Sequence, residues 1–250
     1  MSRLSVELHQ LYTHGRSLGT TFGKPHWPIL DEFTRDLARA GFNRNKLPAN
    51  TLRGRHVQAL LNCWRKNNLH DTTIFVLVEV LRWWARAIDN PGAVLSDDRL
   101  RLQKPERSET DPFPVQVIYC CGCQKNVYAR LTTGSEVYAH RADLRMTPFW
   151  KCDTCSNHVG CHHKSSDRTA PLGCIATAEI KNARKHIHAI FDPIWKQGLM
   201  TRDALYEQVG AAVGKEFHIA DIRSIDEART VYRIVRNIAS AHKKAASQAA

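Results

Sequence analysis

No stretch of this chain is apolar over the roughly 18 residues that a membrane-spanning helix needs, which excludes a helical membrane protein. The first residues, Met1-Ser2-Arg3-Leu4-Ser5-Val6-Glu7, have no apolar signal core, so a cytoplasmic protein with reduced cysteines is expected. A Walker phosphate loop, a dinucleotide fingerprint and a Ser-His-Asp order are also missing, and with them nucleotide-driven and triad chemistry. Acidic residues are missing locally: neither Asp nor Glu occurs from Leu37 to His70. Over the whole chain, 36 Lys and Arg face 24 Asp and Glu, giving a net charge of +12 and a pI near 9.5. That balance points to a polyanionic partner, most simply DNA. With 250 residues, 43 % of them hydrophobic, the chain has enough material for two domains and an ordinary core.

The sequence is organised around two Cys-x-x-Cys pairs, Cys120 with Cys123 and Cys152 with Cys155. Each pair forms a tight knuckle that aims two sulfurs at one ion. Together they supply the four soft thiolates that a tetrahedral, structural Zn2+ prefers. The gap from Gln124 to Lys151 exceeds the about 15 to 20 residues usual in such ribbons. It contains a hairpin pattern: Val127 to Leu131 alternates, Thr132 to Ser135 turns, and Glu136-Val137-Tyr138 returns. Cys121 is an alternative to Cys120, but neighbours in a strand point to opposite faces. Cys161, His162 and His163 are further alternatives, with Cys161 reading better as a small buried residue. Cys63 and Cys174 stand in apolar settings and read as core.

Four helices fit the N-terminal region. Arg3 to His14 carries Leu4, Leu8 and Leu11 on one face; His26 to Ala40 carries Ile29, Leu30, Phe33 and Leu37, closed by Gly41. Arg55 to Asn67 follows, and Asp71 can cap a fourth helix from Thr72 to Ile88. This last helix is apolar on every side, from Ile74 to Leu81, with Glu79 marking the side expected to meet water. The stripe needs cover from elsewhere in the chain, from a second copy or from a protein partner. In the acid-free stretch, Arg44, Lys46, Arg53, Arg55, Arg65 and Lys66 form a one-sided basic surface suited to a phosphate backbone.

Gly15-Arg16-Ser17-Leu18-Gly19-Thr20, Leu37-Ala38-Arg39-Ala40-Gly41-Phe42, His56-Val57-Gln58-Ala59-Leu60 and Leu81-Arg82-Trp83-Trp84-Ala85 resemble the N-terminal core-binding (SAM-like) domain of tyrosine recombinases carried by mobile elements, over residues 10 to 92. The resemblance implies an integrase-like, all-helical clamp on DNA. The catalytic segment with Arg, His and Tyr that follows in such proteins has no counterpart here. The apolar run after Thr73-Ile74 also departs from the polar or basic residues usual there.

Residues 96 to 114, with Pro105, Pro112 and Pro114, read as an exposed linker. Beyond it, Tyr138-Ala139-His140-Arg141, Pro148-Phe149-Trp150-Lys151-Cys152-Asp153-Thr154-Cys155, Val159-Gly160-Cys161-His162, Pro171-Leu172-Gly173 and His188-Ala189-Ile190-Phe191-Asp192-Pro193 resemble a zinc-finger family of phages and bacteria, over residues 115 to 230. That resemblance implies a metal site followed by helices, and no activity. Helices are expected over Ala176 to Trp195, Arg202 to Val213 (capped by Thr201 and ended by Gly214) and Asp226 to Ser240. Lys181 and Arg184 are candidate phosphate contacts, and Arg229, Arg233 and Arg236 share one helical face.

The expected fold is therefore mainly α with a small β zinc ribbon. A helical bundle occupies residues 1–95, a linker 96–114, the ribbon 115–170, and a helical segment packed on the ribbon 171–250. The expected function is DNA binding by a mobile-element or bacterial-host protein, nucleoid-associated, in an accessory or regulatory role in recombination or replication. Two alternatives stand beside it. One is a metal-dependent nuclease using His162, His163, His188 and Asp192, where His188 and Asp192 are four apart on one helix. The other is an adaptor that binds protein, or itself, through helix 72–88.

Overall fold

Helices form where apolar residues recur at helical spacing and end where glycine or a capping side chain interrupts them. The structure is a computed structural model; it describes residues 1–14, 27–104, 114–162 and 165–248, by backbone alone for His14 and for residues 242–248. The Gly15–Thr20 motif, residues 105–113 of the linker and His163 lie outside the described residues.

The helices are α1 (Arg3–His14), α2 (Trp27–Arg39), α3 (Gly54–Lys66), α4 (Asp71–Ala87), the short α5 (Asp97–Leu100) and α6 (Gly134–Val137), then α7 (Ala178–Lys196), α8 (Arg202–Val213) and α9 (Ile225–Gln248). The strands are β1 (Val115–Cys120), β2 (Lys125–Thr133), β3 (Pro148–Cys152) and β4 (His158–Gly160), in one small sheet of order β1-β2-β3-β4. The β2–β3 pair is antiparallel, with Ala129 opposite Cys152 and Thr133 opposite Pro148. This is the mainly α fold with a small ribbon sheet that the sequence predicts.

Two local expectations are corrected. Glu136-Val137-Tyr138 does not return as a strand. The chain coils into α6, and the return is made by β3. Glu136 turns back to bond Arg130, Thr132 and Lys151, and the Gly134 N–H donates to the Thr147 carbonyl at 2.9 Å. Only glycine fits at that position, because a Cβ on Gly134 would lie 1.9 Å from the Leu144 carbonyl oxygen. Residues 134–147 are thus a folded excursion, which explains the long gap between the cysteine pairs. The cap of α4 is also His70 rather than Asp71: His70 Nδ1 accepts from the Thr72 N–H at 3.2 Å.

The chain forms two compact units. The first comprises Met1–Ile118 and Asn126–Ser156. Its core joins Leu4 and Leu8 of α1, Phe33 and Leu37 of α2, Trp64 of α3 and the apolar residues of α4, and it also takes in Val115 and Tyr128. The stripe on α4 is covered within the chain: Ile74, Phe75, Val76, Leu77, Val78, Val80 and Leu81 are all at most 3 % exposed. Glu79 is buried too, against expectation. Arg82 compensates its charge, donating to Glu79 Oε1 at 2.7 Å while also bonding Asp97 Oδ1 at 2.8 Å. A buried carboxylate is tolerable on these terms.

A second buried carboxylate organises the same core. Asp36 Oδ2 accepts from Trp64 Nε1 at 3.0 Å and from the Tyr128 hydroxyl at 2.8 Å, while Oδ1 accepts from Arg39 at 2.7 Å. Burial and the adjacent Asp36 charge push the Tyr128 phenol well above its ordinary pKa, so it remains a donor.

The second unit comprises Tyr119–Lys125 and Asn157–Ala250. Helix α7 packs along α9 through Ile180, Ile187, Phe191, Val231 and Val235, and α8 closes the core with Leu205 and Val209. Thr201 caps α8 by accepting from the Ala204 N–H at 3.2 Å, and Gly214 ends it with φ of 74°. Helix α9 starts at the expected place and runs past Ser240 to Gln248.

Candidate metal centre

Each cysteine pair sits where a strand ends in a turn. Strand β1 finishes at Cys120, residues 121–124 turn, and β2 begins at Lys125. Strand β3 finishes at Cys152, residues 153–155 turn, and β4 follows. The two turns share a detail: the residue after the second cysteine is left-handed in both, Gln124 at φ 52° and Ser156 at φ 60°. This reverses the chain so that both sulfurs of a pair face one point. Cys120 and Cys152 are buried, Cys123 and Cys155 half-buried.

The four sulfurs lie within 4.8 Å of one another. A tetrahedral zinc with bonds of about 2.3 Å places its sulfurs about 3.8 Å apart, so the donor set fits. None of the four is held in a disulfide. Four thiolates fill the coordination shell and leave no position for water or substrate, which makes the zinc structural. Among the described residues, no other group of three or more His, Cys, Asp and Glu brings its ligand atoms this close.

Residues 116–239 match the model of a family described as a zinc-finger-containing domain. The matched segment contains all four cysteines and continues into the helices of the second unit, leaving the N-terminal helices outside it. No curated protein and no solved structure matches the chain. Zinc binding by this segment rests on both the family match and the cysteine geometry.

The other candidate ligands stand apart from the cluster. The Cys121 sulfur lies 3.6 Å from that of Cys174, and its N–H donates to the Ile175 carbonyl at 2.8 Å, which pins the first knuckle. Arg184 donates to Cys174 Sγ at 2.9 Å. Within this pair the Cys121 hydrogen bond and the Arg184 charge lower the Cys174 thiol, while the Cys174 contact and burial raise that of Cys121. Cys161 is buried, and burial raises its thiol to about 11. His162 is exposed. His188 Nδ1 lies 3.1 Å from Asp192 Oδ1, and Lys196 donates to Asp192 Oδ2 at 3.2 Å, so both carboxylate oxygens are engaged. These residues do not assemble a second metal set among the described residues.

Sequence reasoning missed what holds the second knuckle. Asp153, inside that turn, accepts from the His70 N–H at 3.2 Å, from Thr73 Oγ1 at 2.9 Å and from Arg130 Nε at 3.1 Å. Thr154 Oγ1 donates to the Asn67 carbonyl at 2.8 Å. The knuckle is thereby tied to the α3–α4 turn. The only sequence signal was a carboxylate between two metal-ligating cysteines, where extra negative charge needs a partner.

The left-handed turns carry the first prediction. A non-glycine residue at positive φ is strained, and glycine removes that strain at some entropic cost. Gln124→Gly and Ser156→Gly should each stabilise the zinc-loaded protein by about 0.5–1 kcal/mol. Thermal unfolding midpoints of the two variants check this, and a lowered midpoint in both would contradict it.

The basic candidates separate into two groups. Lys46, Arg53, Arg55, Arg65 and Lys66 are exposed and Arg44 is half-buried. None of the six forms an ion pair with a described residue, whereas Arg35, Arg39, Arg82 and Arg130 all do. Arg65 reaches back only to the Leu100 carbonyl, at 2.9 Å. In the second group, Arg184 donates to Ile222 O at 2.7 Å as well as to Cys174, and Lys181 Nζ lies 3.1 Å from His158 Nε2. Burial, with Arg184 nearby, lowers the Lys181 pKa. Both of these side chains are engaged within the second unit.

Among the described residues, no helix is long and apolar enough to cross a membrane.

Proposed function

We propose that this chain is a DNA-binding protein whose zinc holds the fold and takes no part in chemistry. The observation that carries the reading is the set of six cations from Arg44 to Lys66, without an acidic residue in the intervening sequence and without an ion pair among the described residues. Cations left uncompensated along one helix and its approach are suited to phosphates. The resemblance of the N-terminal helices to a recombinase clamp favours the same side of the molecule. An accessory or regulatory role in recombination or replication follows, with other chains supplying any catalysis. Lys181 and Arg184 are left out of this surface because Lys181 Nζ lies against His158 and Arg184 Nη2 donates to Cys174 and Ile222.

The test is salt-dependent binding to duplex DNA. Replacing Arg44, Lys46, Arg53 and Arg55 together with alanine should weaken binding regardless of sequence. Each lost phosphate contact should flatten the plot of log affinity against log salt by about 0.9. A quadruple variant that matches the parent at low and moderate salt would reduce this stretch to a solvated surface.

A further inference from the structure

Helix α9 carries a second basic face, and its composition differs from the first. After Glu227 the chain contains no acidic residue, while Arg229, Arg233, Arg236, Lys243 and Lys244 follow. The three arginines lie on exposed turns of α9, and between them Tyr232 is 36 % exposed, one of the few large aromatic or aliphatic side chains facing solvent among the described residues. Beside this face runs a groove of about 600 Å³ between α7 and α9. Ala183, Ile187 and Ala228 form its apolar floor; His186, Arg229 and Tyr232 are among the residues at its rim. Asp226 meets Arg229 at 3.0 Å, but both side chains are highly exposed and the pair is screened.

A ligand for such a groove has a flat, apolar face and a regular negative charge. Unpaired nucleotides meet both conditions, since each base offers a π-face to an aromatic ring and each phosphate an anion to arginine. Duplex DNA meets only the second, because its bases are stacked on one another. We infer that the α7–α9 groove binds single-stranded nucleic acid, with Tyr232 stacking on a base and Arg229 and Arg233 holding the flanking phosphates.

This inference extends the nucleic-acid reading above, and its failure is separable from the failure of that reading. The duplex surface lies on α3 and the segment before it, so Tyr232 variants leave duplex binding unchanged, and the quadruple variant of Arg44, Lys46, Arg53 and Arg55 still binds single strands. The experiment uses the full zinc-loaded chain and fluorescein-labelled oligothymidylate and oligouridylate of about 15 nucleotides, followed by anisotropy. Tyr232→Ala should weaken binding about ten-fold or more, and Tyr232→Phe, which keeps the ring, should bind like the parent. Arg229→Ala and Arg233→Ala should each flatten the salt dependence by about 0.7. Binding of either the DNA or the RNA strand with this pattern supports the inference. Failure to bind both strands, equal affinity of Tyr232→Ala and parent, or loss of binding in Tyr232→Phe would overturn it. A protein helix seated in the groove instead would appear as the first of these outcomes.

Discussion

Protein carrying Cys152→Ser should be recovered without stoichiometric zinc and without ordered structure from residue 115 to 195. The parent, purified without chelator, should hold one zinc per chain. Cys152 is 1 % exposed, at the end of a strand paired residue by residue with β2, so solvent has little access to supply a replacement ligand. Serine offers a hard, protonated oxygen where a soft thiolate is needed. The three remaining thiolates would then hold the ion far less firmly. Metal binding in small zinc modules contributes about 10–16 kcal/mol that is inseparable from folding, so losing a ligand forfeits a large part of it. Elemental analysis measures the metal and amide spectra measure the order. Absence of zinc from the parent would remove the claim altogether.

Arg130→Met should cost about 3–5 kcal/mol, the second largest effect we expect from a single substitution. The guanidinium is 11 % exposed and spans two carboxylates: Nε meets Asp153 at 3.1 Å, while Nη1 and Nη2 meet Glu136 at 3.0 and 2.8 Å. Asp153 is 5 % exposed. Methionine keeps most of the stem volume but leaves that carboxylate buried without a cation. A denaturant titration reads the loss, and a double-mutant cycle with Asp153→Asn isolates the coupling. A loss below about 1 kcal/mol would place this bridge with ordinary surface pairs.

The same bridge has an acid signature. The Arg130 hydrogen bonds, followed by those of Lys151 and Thr132, hold the Glu136 carboxyl well below the usual carboxylate range against the opposing effect of burial. A depressed folded pKa stabilises the protein fully above the unfolded value and loses that contribution as pH falls through the folded one. The parent should therefore lose stability as pH drops below about 4.5, and Arg130→Met should lose less over the same window.

The sequence made the local chemistry legible. Leu4 and Leu8 at helical spacing produced α1 with the expected ends, and the two Cys-x-x-Cys pairs identified a four-sulfur cluster before any geometry was known. What remained hidden were the partners. Glu79 reads as a wet position because a lone acid in an apolar run belongs in water, unless an arginine three residues on pairs with it. Glu136 reads as part of a strand because nothing local shows that its carboxylate will fold back on Arg130. Arg184 reads as a surface cation because its sulfur partner, Cys174, precedes it by ten residues in what looks like plain core. In each case, a side-chain contact overrode a pattern that was correct for the backbone alone.

The hydrogen bond from Tyr128 to Asp36 also sets an order of events during synthesis. Its partners are 92 residues apart in the chain. At about 5–20 residues per second, α2 leaves the ribosome roughly 5–18 seconds before the tyrosine that completes its buried carboxylate. During that interval Asp36 has only Trp64 and Arg39 to satisfy it, and the place Tyr128 fills among the helices is open. The nascent helices can gather early, but their core is closed only when the second strand arrives.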